Sequence, residues 1–149
     1  MITYNIGDVI ESPHELIFHG CNAQKKMGKG IAKRIREKYP YAYQRYMEDQ
    51  IILGTNVYAF IGDEDRFICN MIIQQYYGNT PGHCYVSYDA IRTCFKHLND
   101  FCEEVGIKSV AGPKIGTGLG GGDWSKIEEI IKSTMKVPVH IYELKESKV

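Results

Sequence analysis

One stretch decides the fold that the sequence predicts: residues 107–131, IKSVAGPKIGTGLGGGDWSKIEEII. It begins with a short apolar strand at Ile107 to Ala111 and ends in a helix whose isoleucines recur on one face. The loop between them, Gly112 to Asp123, has five glycines within residues 116–122, and glycine is entropically costly unless the backbone needs unusual dihedral angles. Such a strand, loop and helix turn several backbone N–H groups toward one point, which suits a diphosphate.

The same loop fits other interpretations less well. Gly116, Gly118 and Gly121 satisfy the dinucleotide pattern G-x-G-x-x-G, and Glu143 stands about where a ribose-binding acid would be expected. Only six residues follow Glu143, which leaves no second mononucleotide half, and residues 113–115 separate the strand from the glycines too far for that tight turn. A Walker loop is excluded because no Gly-Lys-Ser/Thr ends the segment. A flexible surface turn is the structural alternative.

Outward from this unit, the spacing of apolar residues predicts strands alternating with helices. Strands are predicted at Ile2 to Ile6, Leu16 to Phe18, Asn56 to Phe60, Phe67 to Ile73 and Val137 to Leu144. Helices are predicted at Gly30 to Tyr39, at Tyr41 to Asp49 and between an N-cap at Ser87 and a stop at Gly106. Residues 146–149 are predicted to be a short polar tail. This alternation indicates one three-layer α/β domain over residues 1–149.

The composition is that of a soluble globular domain. Of 149 residues, 44% are hydrophobic, and 18 Lys and Arg balance 18 Asp and Glu, which excludes a strongly basic protein that coats nucleic acid. The five cysteines form no C-x-x-C pair, and Cys69, Cys94 and Cys102 fall in apolar patterns, so free buried thiols in a reducing cytoplasm are expected. No apolar run approaches the roughly 20 residues of a membrane helix, and no signal peptide is recognised.

A second glycine cluster follows the second predicted strand: residues 19–32, HGCNAQKKMGKGIA. It leads into the first predicted helix and is therefore another strand, loop and helix that can bind an anion. Eight Lys or Arg and a single Glu lie between Gln24 and Tyr46, most of them on a solvated helix face, whereas Lys29 beside the glycines is predicted to face a ligand. Two such loops after strand ends indicate one crevice for one nucleotide-like ligand.

Four motifs together resemble the macro domain family: Gly7 to Ile10, His19 to Asn22, Met27 to Ala32, and Ile115 to Trp124. They occur in the family's order over nearly the whole chain. The sequence is most similar to the branch that contains the yeast-type ADP-ribose-1''-phosphate phosphatase, the terminal ADP-ribose protein glycohydrolase and the DNA ADP-ribosyl glycohydrolase antitoxin. The resemblance implies an α/β/α fold with a mixed sheet and binding of ADP-ribose without a metal or cofactor.

The resemblance also implies roles for individual residues. Asp8 would accept a hydrogen bond from the adenine amino group, Val9 would contact the base through its backbone, and the base would be flanked by Tyr142 and Leu144. The distal ribose would be contacted by Asn22 and covered by Gly28, Lys29, Gly30 and Ile31. The diphosphate would be held by Ile115, Gly116, Thr117, Gly118, Leu119 and Gly120. From the residues alone, Asp8 could equally cap a turn, and Tyr142 and Leu144 could be ordinary sheet residues.

Two departures from the family pattern bear on catalysis. Gln74 stands where the two glycohydrolases have a lysine, and Gly120 stands where the protein glycohydrolase has an aspartate. The catalytic prediction therefore falls on His19, which matches a histidine of the phosphatase, with Asp123 as its carboxylate partner. The structural alternatives are a core histidine at His19 and a helix N-cap at Asp123. His83 and the pair Tyr76-Tyr77 are further candidates for the rim.

The predicted function is hydrolysis of ADP-ribose 1''-phosphate to ADP-ribose and phosphate. One alternative is a hydrolase that removes ADP-ribose from protein or nucleic acid, and another is a non-catalytic reader of ADP-ribose. In each case a cytoplasmic monomer without a membrane partner is expected.

Overall fold

The computed structural model describes residues 1–78 and 80–145. The strands are β1 (Ile2–Ile6), β2 (Leu16–Asn22), β3 (Asn56–Ile61), β4 (Arg66–Gln74), β5 (Val110–Gly112) and β6 (Val139–Glu143), and the helices are α1 (Gly30–Lys38), α2 (Pro40–Glu48), α3 (Tyr88–Val105) and α4 (Trp124–Thr134). Short 3-10 helices lie at Val9–Glu11 and Gly62–Glu64. The tail predicted at residues 146–149 lies outside the described residues.

The strands form one six-stranded mixed sheet with the order β1-β6-β5-β2-β4-β3. Only β3 runs antiparallel to its neighbour among these pairs, and the other neighbouring strands are parallel. Helices cover both faces, so the predicted α/β/α class is confirmed. The two glycine-rich segments follow β2 and β5, which are neighbours in the sheet, and they therefore meet at one edge.

The alternation of side chains along β2 separates two apolar layers. Leu16 and Phe18 pack with α3 and α4 in one core, whereas Ile17 packs with α1 and α2 on the opposite face. All three side chains are fully buried. Because successive strand residues point to opposite faces, the face on which each later β2 residue lies is already determined.

The helix boundaries follow from local capping chemistry. The Ser87 hydroxyl accepts a hydrogen bond from Ala90 N at 3.1 Å, and Gly106 ends α3 in the left-handed conformation with φ of 87°. Pro40 occupies the first turn of α2, where its missing N–H needs no partner. These boundaries agree with the predicted helices to within one residue.

The strands differ more from the sequence prediction. β2 continues to Asn22 rather than ending at Phe18, because β4 pairs with it as far as Gln74, with a register shift between Cys21 and Asn22. β5 is shorter than predicted and begins at Val110. Cys69, Cys94 and Cys102 are buried and free, as predicted. In the described part of the chain, no helix combines the length and the apolar character that a membrane crossing requires.

Candidate functional site

Two adjoining hollows lie where the parallel strands end. The loop hollow, of about 260 Å³, lies between residues 20–32 and residues 113–120 and is closed on another side by Gln74 and Tyr77. The strand-end hollow, of about 450 Å³, lies between Val9, Arg34 and residues 142–144. Both hollows are lined by Gly30, Ile31, Pro113 and Lys114, so they form one continuous crevice.

The glycine-rich loop after β5 folds back on itself. Gly122 N donates to Gly116 O at 2.7 Å and Gly121 N donates to Gly118 O at 3.1 Å. Gly116 and Gly121 have φ of 75° and 70°, a conformation that other residues adopt only with strain. A Cβ atom at position 120 would lie 2.8 Å from Gly116 O. The folding of the loop therefore accounts for most of its glycines.

Gly118 is required neither by a left-handed backbone conformation nor by the close approach of another atom. Its φ is not positive, and a Cβ atom built there would meet nothing within 4 Å. The N–H groups of residues 118–120 find no acceptor within hydrogen-bond distance in the described part of the chain. The loop thus presents free donors and open space to the loop hollow, which is the arrangement of an anion site.

Asn22 organises the first loop. Its Oδ1 accepts from Gln24 N and Lys26 N, both at 3.1 Å, and its Nδ2 donates to Lys26 O at 2.8 Å. The Tyr46 hydroxyl donates to Asn22 O. Asn22 lines the loop hollow, but its amide is engaged with this loop, and any contact with a ligand would be additional.

The N-terminus of α1 forms one wall of the loop hollow. Lys29 is the N-cap residue and makes no side-chain hydrogen bond to the helix, so the first N–H groups of α1 are left without a capping side chain. Gly28 has open space around its Cα, and Lys26 and Lys29 line the same hollow. The Lys29 ammonium lies 5.9 Å from the centre of the Tyr77 ring. The N-terminus of α1 and the two lysines together make this wall positive.

The segment between β4 and α3 links the two loops. Tyr77 N donates to Gln24 Oε1 at 2.7 Å, and Tyr85 N donates to Gly120 O at 2.7 Å. Gln74 lines the hollow while its Nε2 donates to Tyr76 O at 2.8 Å. Of the rim candidates, Tyr77 lines the hollow, whereas His83 lies with its carbonyl against Gly121.

The strand-end hollow has an apolar wall beside an ion pair. Val9, Tyr142 and Leu144 line it. Asp8 caps the first 3-10 helix by accepting from Ile10 N at 3.0 Å, and it pairs with Arg34. Asp8 itself does not line the hollow, whereas Arg34 does. The turn-capping alternative for Asp8 is therefore present in the structure, beside any role toward a base.

His19 does not reach the crevice. Its side chain is fully buried on the sheet face that α2 covers, where its Nε2 lies 2.5 Å from Asn70 Oδ1. Asn70 in turn donates to Ala42 O in α2 at 3.3 Å. Burial lowers the pKa of His19 to about 4, so the imidazole is neutral at pH 7 and sealed from a ligand. The structure therefore places His19 in the core and not in the crevice, which is the position that the structural alternative expected.

Asp123 lies on the other face and acts as a helix cap. It accepts from Ser125 N at 3.0 Å at the start of α4, and hydrogen bonds from Ser125 lower the pKa of Asp123. Asp123 is exposed and does not line either hollow. Because α4 packs on the face opposite to that of His19, the predicted pair is not brought together.

Apart from Asp8, the other predicted residues gather at the crevice. The loop hollow is lined by Asn22, Gly28, Lys29, Gly30, Ile31, Gln74, Ile115, Gly116, Gly118, Leu119 and Gly120, and the strand-end hollow by Val9, Gly30, Ile31, Thr117, Tyr142 and Leu144. Sequence reasoning missed Arg34 and gave Lys114 no role. Arg34 lies one helical turn after Gly30, a spacing that places both on one side of α1, and this signal could have identified it.

Comparisons with known proteins identify the family of this chain. The profile of the Macro domain family matches residues 18–131. The DNA ADP-ribosyl glycohydrolase of Mycobacterium tuberculosis is 28% identical over 142 residues, which cover 91% of this chain and 39% of that protein. The ADP-ribose 1''-phosphate phosphatase of Aspergillus fumigatus is 39% identical over 64 residues, 42% of this chain and 32% of that protein. This chain thus spans about two fifths of the length of that glycohydrolase.

A solved structure shows the same fold. The macrodomain of Thermus aquaticus DarG superposes with a TM-score of 0.82 and 25% identity, covering 96% of this chain and 98% of that chain. The profile match extends over more than half of the sequence and includes both glycine-rich loops. The chain therefore belongs to the Macro domain family.

Proposed function

We propose that this protein binds ADP-ribose 1''-phosphate in the crevice and hydrolyses it to ADP-ribose and inorganic phosphate. The observation that carries the proposal is the positive wall of the loop hollow, where the uncapped N-terminus of α1 stands beside Lys26 and Lys29. A helix N-terminus and ammonium groups favour a phosphate over a neutral group. A terminal phosphate on the distal ribose would be attracted to this wall.

The shape of the crevice supports a ligand with two ends. ADP-ribose has a nucleoside and a second ribose joined by a diphosphate, and the crevice has a strand-end hollow beside Tyr142 and Leu144 joined to a loop hollow that Lys26 and Lys29 line. The unpartnered N–H groups of residues 118–120 would donate hydrogen bonds to the diphosphate. Of the relatives described above, one is named an ADP-ribose 1''-phosphate phosphatase and the other a DNA ADP-ribosyl glycohydrolase.

The chemistry would rely on charge stabilisation rather than on a side-chain base. Water attacks phosphorus, the bond from phosphorus to the anomeric oxygen breaks, and that oxygen takes a proton from solvent. Gln74 is an amide and burial raises the pKa of the Cys21 thiol, so neither of these crevice residues supplies a base or a nucleophile near pH 7. Donors fixed before the reaction would stabilise the charge that develops on the phosphate.

A phosphate-release assay tests this proposal. Purified protein incubated with ADP-ribose 1''-phosphate in water enriched in oxygen-18 is expected to release phosphate that carries the label, since the attack is at phosphorus. Unlabelled phosphate would instead indicate attack at the sugar carbon. Binding of the compound without any release of phosphate would contradict the enzymatic proposal and favour a reader.

The second candidate is removal of ADP-ribose from a modified protein or nucleic acid. It is favoured by the similarity to the DNA ADP-ribosyl glycohydrolase, which extends over 91% of this chain, against 42% for the phosphatase. Release of ADP-ribose from a panel of modified macromolecules, together with no turnover of the 1''-phosphate, would favour this candidate.

A further inference from the structure

We propose that Lys114 is the side chain that binds the ligand's diphosphate where it passes between the two hollows. This inference rests on the proposed binding of ADP-ribose. It assigns a ligand-binding and specificity-determining role to a residue that the sequence pattern treats only as a spacer between β5 and the glycines.

The position of Lys114 carries the argument. Four residues line both hollows, namely Gly30, Ile31, Pro113 and Lys114, and Lys114 alone among these four is charged. A ligand whose nucleoside occupies the strand-end hollow and whose distal ribose occupies the loop hollow must pass its diphosphate along this shared wall. Its two negative charges would therefore pass beside Lys114.

Each of the other crevice cations lines only one of the two hollows. Lys26 and Lys29 line the loop hollow, and Arg34, which lines the strand-end hollow, pairs with Asp8. Only Lys114 among these cations lines both hollows. The cations therefore divide along the ligand, with Lys114 at its middle.

Lys114 is held in place before a ligand arrives. Its Nζ lies 5.8 Å from the centre of the Tyr4 ring and 5.9 Å from that of Trp124. Trp124 Nε1 donates to the Tyr4 hydroxyl at 3.0 Å, which fixes the two rings relative to each other. Tyr4 belongs to β1 and Trp124 to α4, so rigid elements rather than the loop position this cation.

Glu143 competes for the same ammonium. Its Oε1 lies 2.5 Å from Lys114 Nζ, and the pair is only about one third to one half exposed. A diphosphate must share the ammonium with this carboxylate. Removing the negative charge of Glu143 is therefore expected to strengthen the attraction of Lys114 for the diphosphate.

Calorimetry with ADP-ribose and with adenosine tests this role. Adenosine lacks the diphosphate, and its affinity can be measured by displacement of ADP-ribose. Lys114→Met is expected to weaken the binding of ADP-ribose about tenfold and to leave the affinity for adenosine unchanged. Lys114→Arg is expected to retain most of the affinity for ADP-ribose. Glu143→Gln is expected to raise the ratio of ADP-ribose affinity to adenosine affinity, and only where Lys114 is present.

The matched control is Lys33→Met, which removes the same charge from an exposed position of α1 that lines neither hollow. An equal loss with Lys33→Met, an equal loss of adenosine affinity, or no loss with Lys114→Met would each overturn the assignment. Wild-type protein that does not bind ADP-ribose would instead overturn the proposed function itself. Melting temperatures of all variants identify any that fail to fold.

Discussion

The glycines of the loop after β5 are glycine for two different physical reasons. Gly121 has a left-handed backbone, and a Cβ atom there would collide with the His83 carbonyl. Gly118 has an ordinary φ and open space beside it. The first kind of glycine is needed to fold the loop, and the second kind leaves room for a ligand to approach the backbone.

Alanine substitutions at these two positions separate folding from binding. Gly118→Ala is expected to weaken the binding of ADP-ribose by about tenfold or more, because a methyl group between the ligand and the loop backbone costs about 1–3 kcal/mol. Its free energy of unfolding should stay the same or rise by up to about 1 kcal/mol. Gly121→Ala is expected to lower that free energy by more than 1 kcal/mol, since strain and collision add. Denaturant unfolding and calorimetry on both variants check this, and equal effects on stability would contradict it.

His19 makes a pH-dependent contribution to stability rather than to chemistry. Its pKa is about 4 in the folded protein and about 6.5 in the unfolded chain, so the unfolded state binds the proton first as the pH falls. The contribution of the neutral His19 to the free energy of unfolding is therefore fully present above about pH 6.5. It decreases progressively down to about pH 4, by at most about 3 kcal/mol. His19→Gln removes this titration. Urea unfolding at pH 7, 6, 5 and 4 should show a shallower loss in the variant, and parallel curves would contradict the buried placement.

The placement of His19 illustrates what single residues reveal before a structure is known. A histidine after an apolar strand could equally be a base or a core residue, and the sequence holds no direct record of burial. The alternation of β2 would have decided it, since His19 lies two residues after the buried Ile17 on the same face. The glycine and polar residues after Phe18 concealed that the strand continues.

The N-termini of α1 and α4 differ in whether a side chain caps their first N–H groups. The N-terminus of α4 is capped by Asp123, whereas that of α1 has no side-chain cap and lines the loop hollow. An uncapped helix end keeps its N–H groups available to an anion. The two ends therefore predict different consequences of substitution.

Substitution of Asp123 should affect stability through the helix cap. Asp123→Ala is expected to lower the Tm by about 2–4 °C, and Asp123→Asn should retain most of the Tm because an asparagine side chain also caps. Thermal unfolding followed by circular dichroism measures both. Equal losses in the two variants would show that the carboxylate has a role other than accepting the Ser125 N–H.

Substitution at the α1 end should affect the terminal phosphate of the ligand. The double variant Lys26→Met with Lys29→Met is expected to weaken the binding of ADP-ribose 1''-phosphate about tenfold more than that of ADP-ribose, because in the proposed complex both lysines would lie beside that phosphate. Calorimetry with both compounds under non-hydrolysing conditions, or with a hydrolysis-resistant analogue, gives the comparison. Equal weakening of both ligands would show that the lysines do not recognise the terminal phosphate.

Helices were predicted more accurately than strands, for a physical reason. Ser87, Gly106 and Pro40 fix helix ends through local capping chemistry, which a sequence displays directly. The ends of β2 and β5 depend on which strand lies beside them, as the pairing of Asn22 with Gln74 shows. That neighbour is chosen by the tertiary fold and is not encoded in any short segment.

At the scale of the whole molecule, strand order creates the crevice. β2 and β5 are far apart in sequence but adjacent and parallel in the sheet, with Ile17 paired to Ala111. Their following loops therefore open toward the same edge, and the segment after β4 connects them through Tyr77 and Tyr85. The sequence motifs predicted one crevice from two loops, but the shared wall with Lys114 required the three-dimensional arrangement.

Ligand binding at this crevice should stabilise the entire fold, since both loops and the connecting segment belong to it. At a free ligand concentration one hundred times the Kd, the gain is about 2.7 kcal/mol. For a chain of this size, the Tm should rise by about 5–10 °C. Differential scanning fluorimetry with increasing ADP-ribose measures the rise, and adenosine at equal concentration gives the comparison.

Titration calorimetry of the purified protein with ADP-ribose is the decisive measurement for this crevice. An ADP-ribose site in this crevice predicts saturable binding of one ADP-ribose per chain, and it predicts that Gly118→Ala loses or strongly weakens this binding while its Tm equals or exceeds that of the wild type. Absence of saturable binding at millimolar ADP-ribose, or an affinity that Gly118→Ala leaves unchanged, would contradict the assignment of this crevice as an ADP-ribose site.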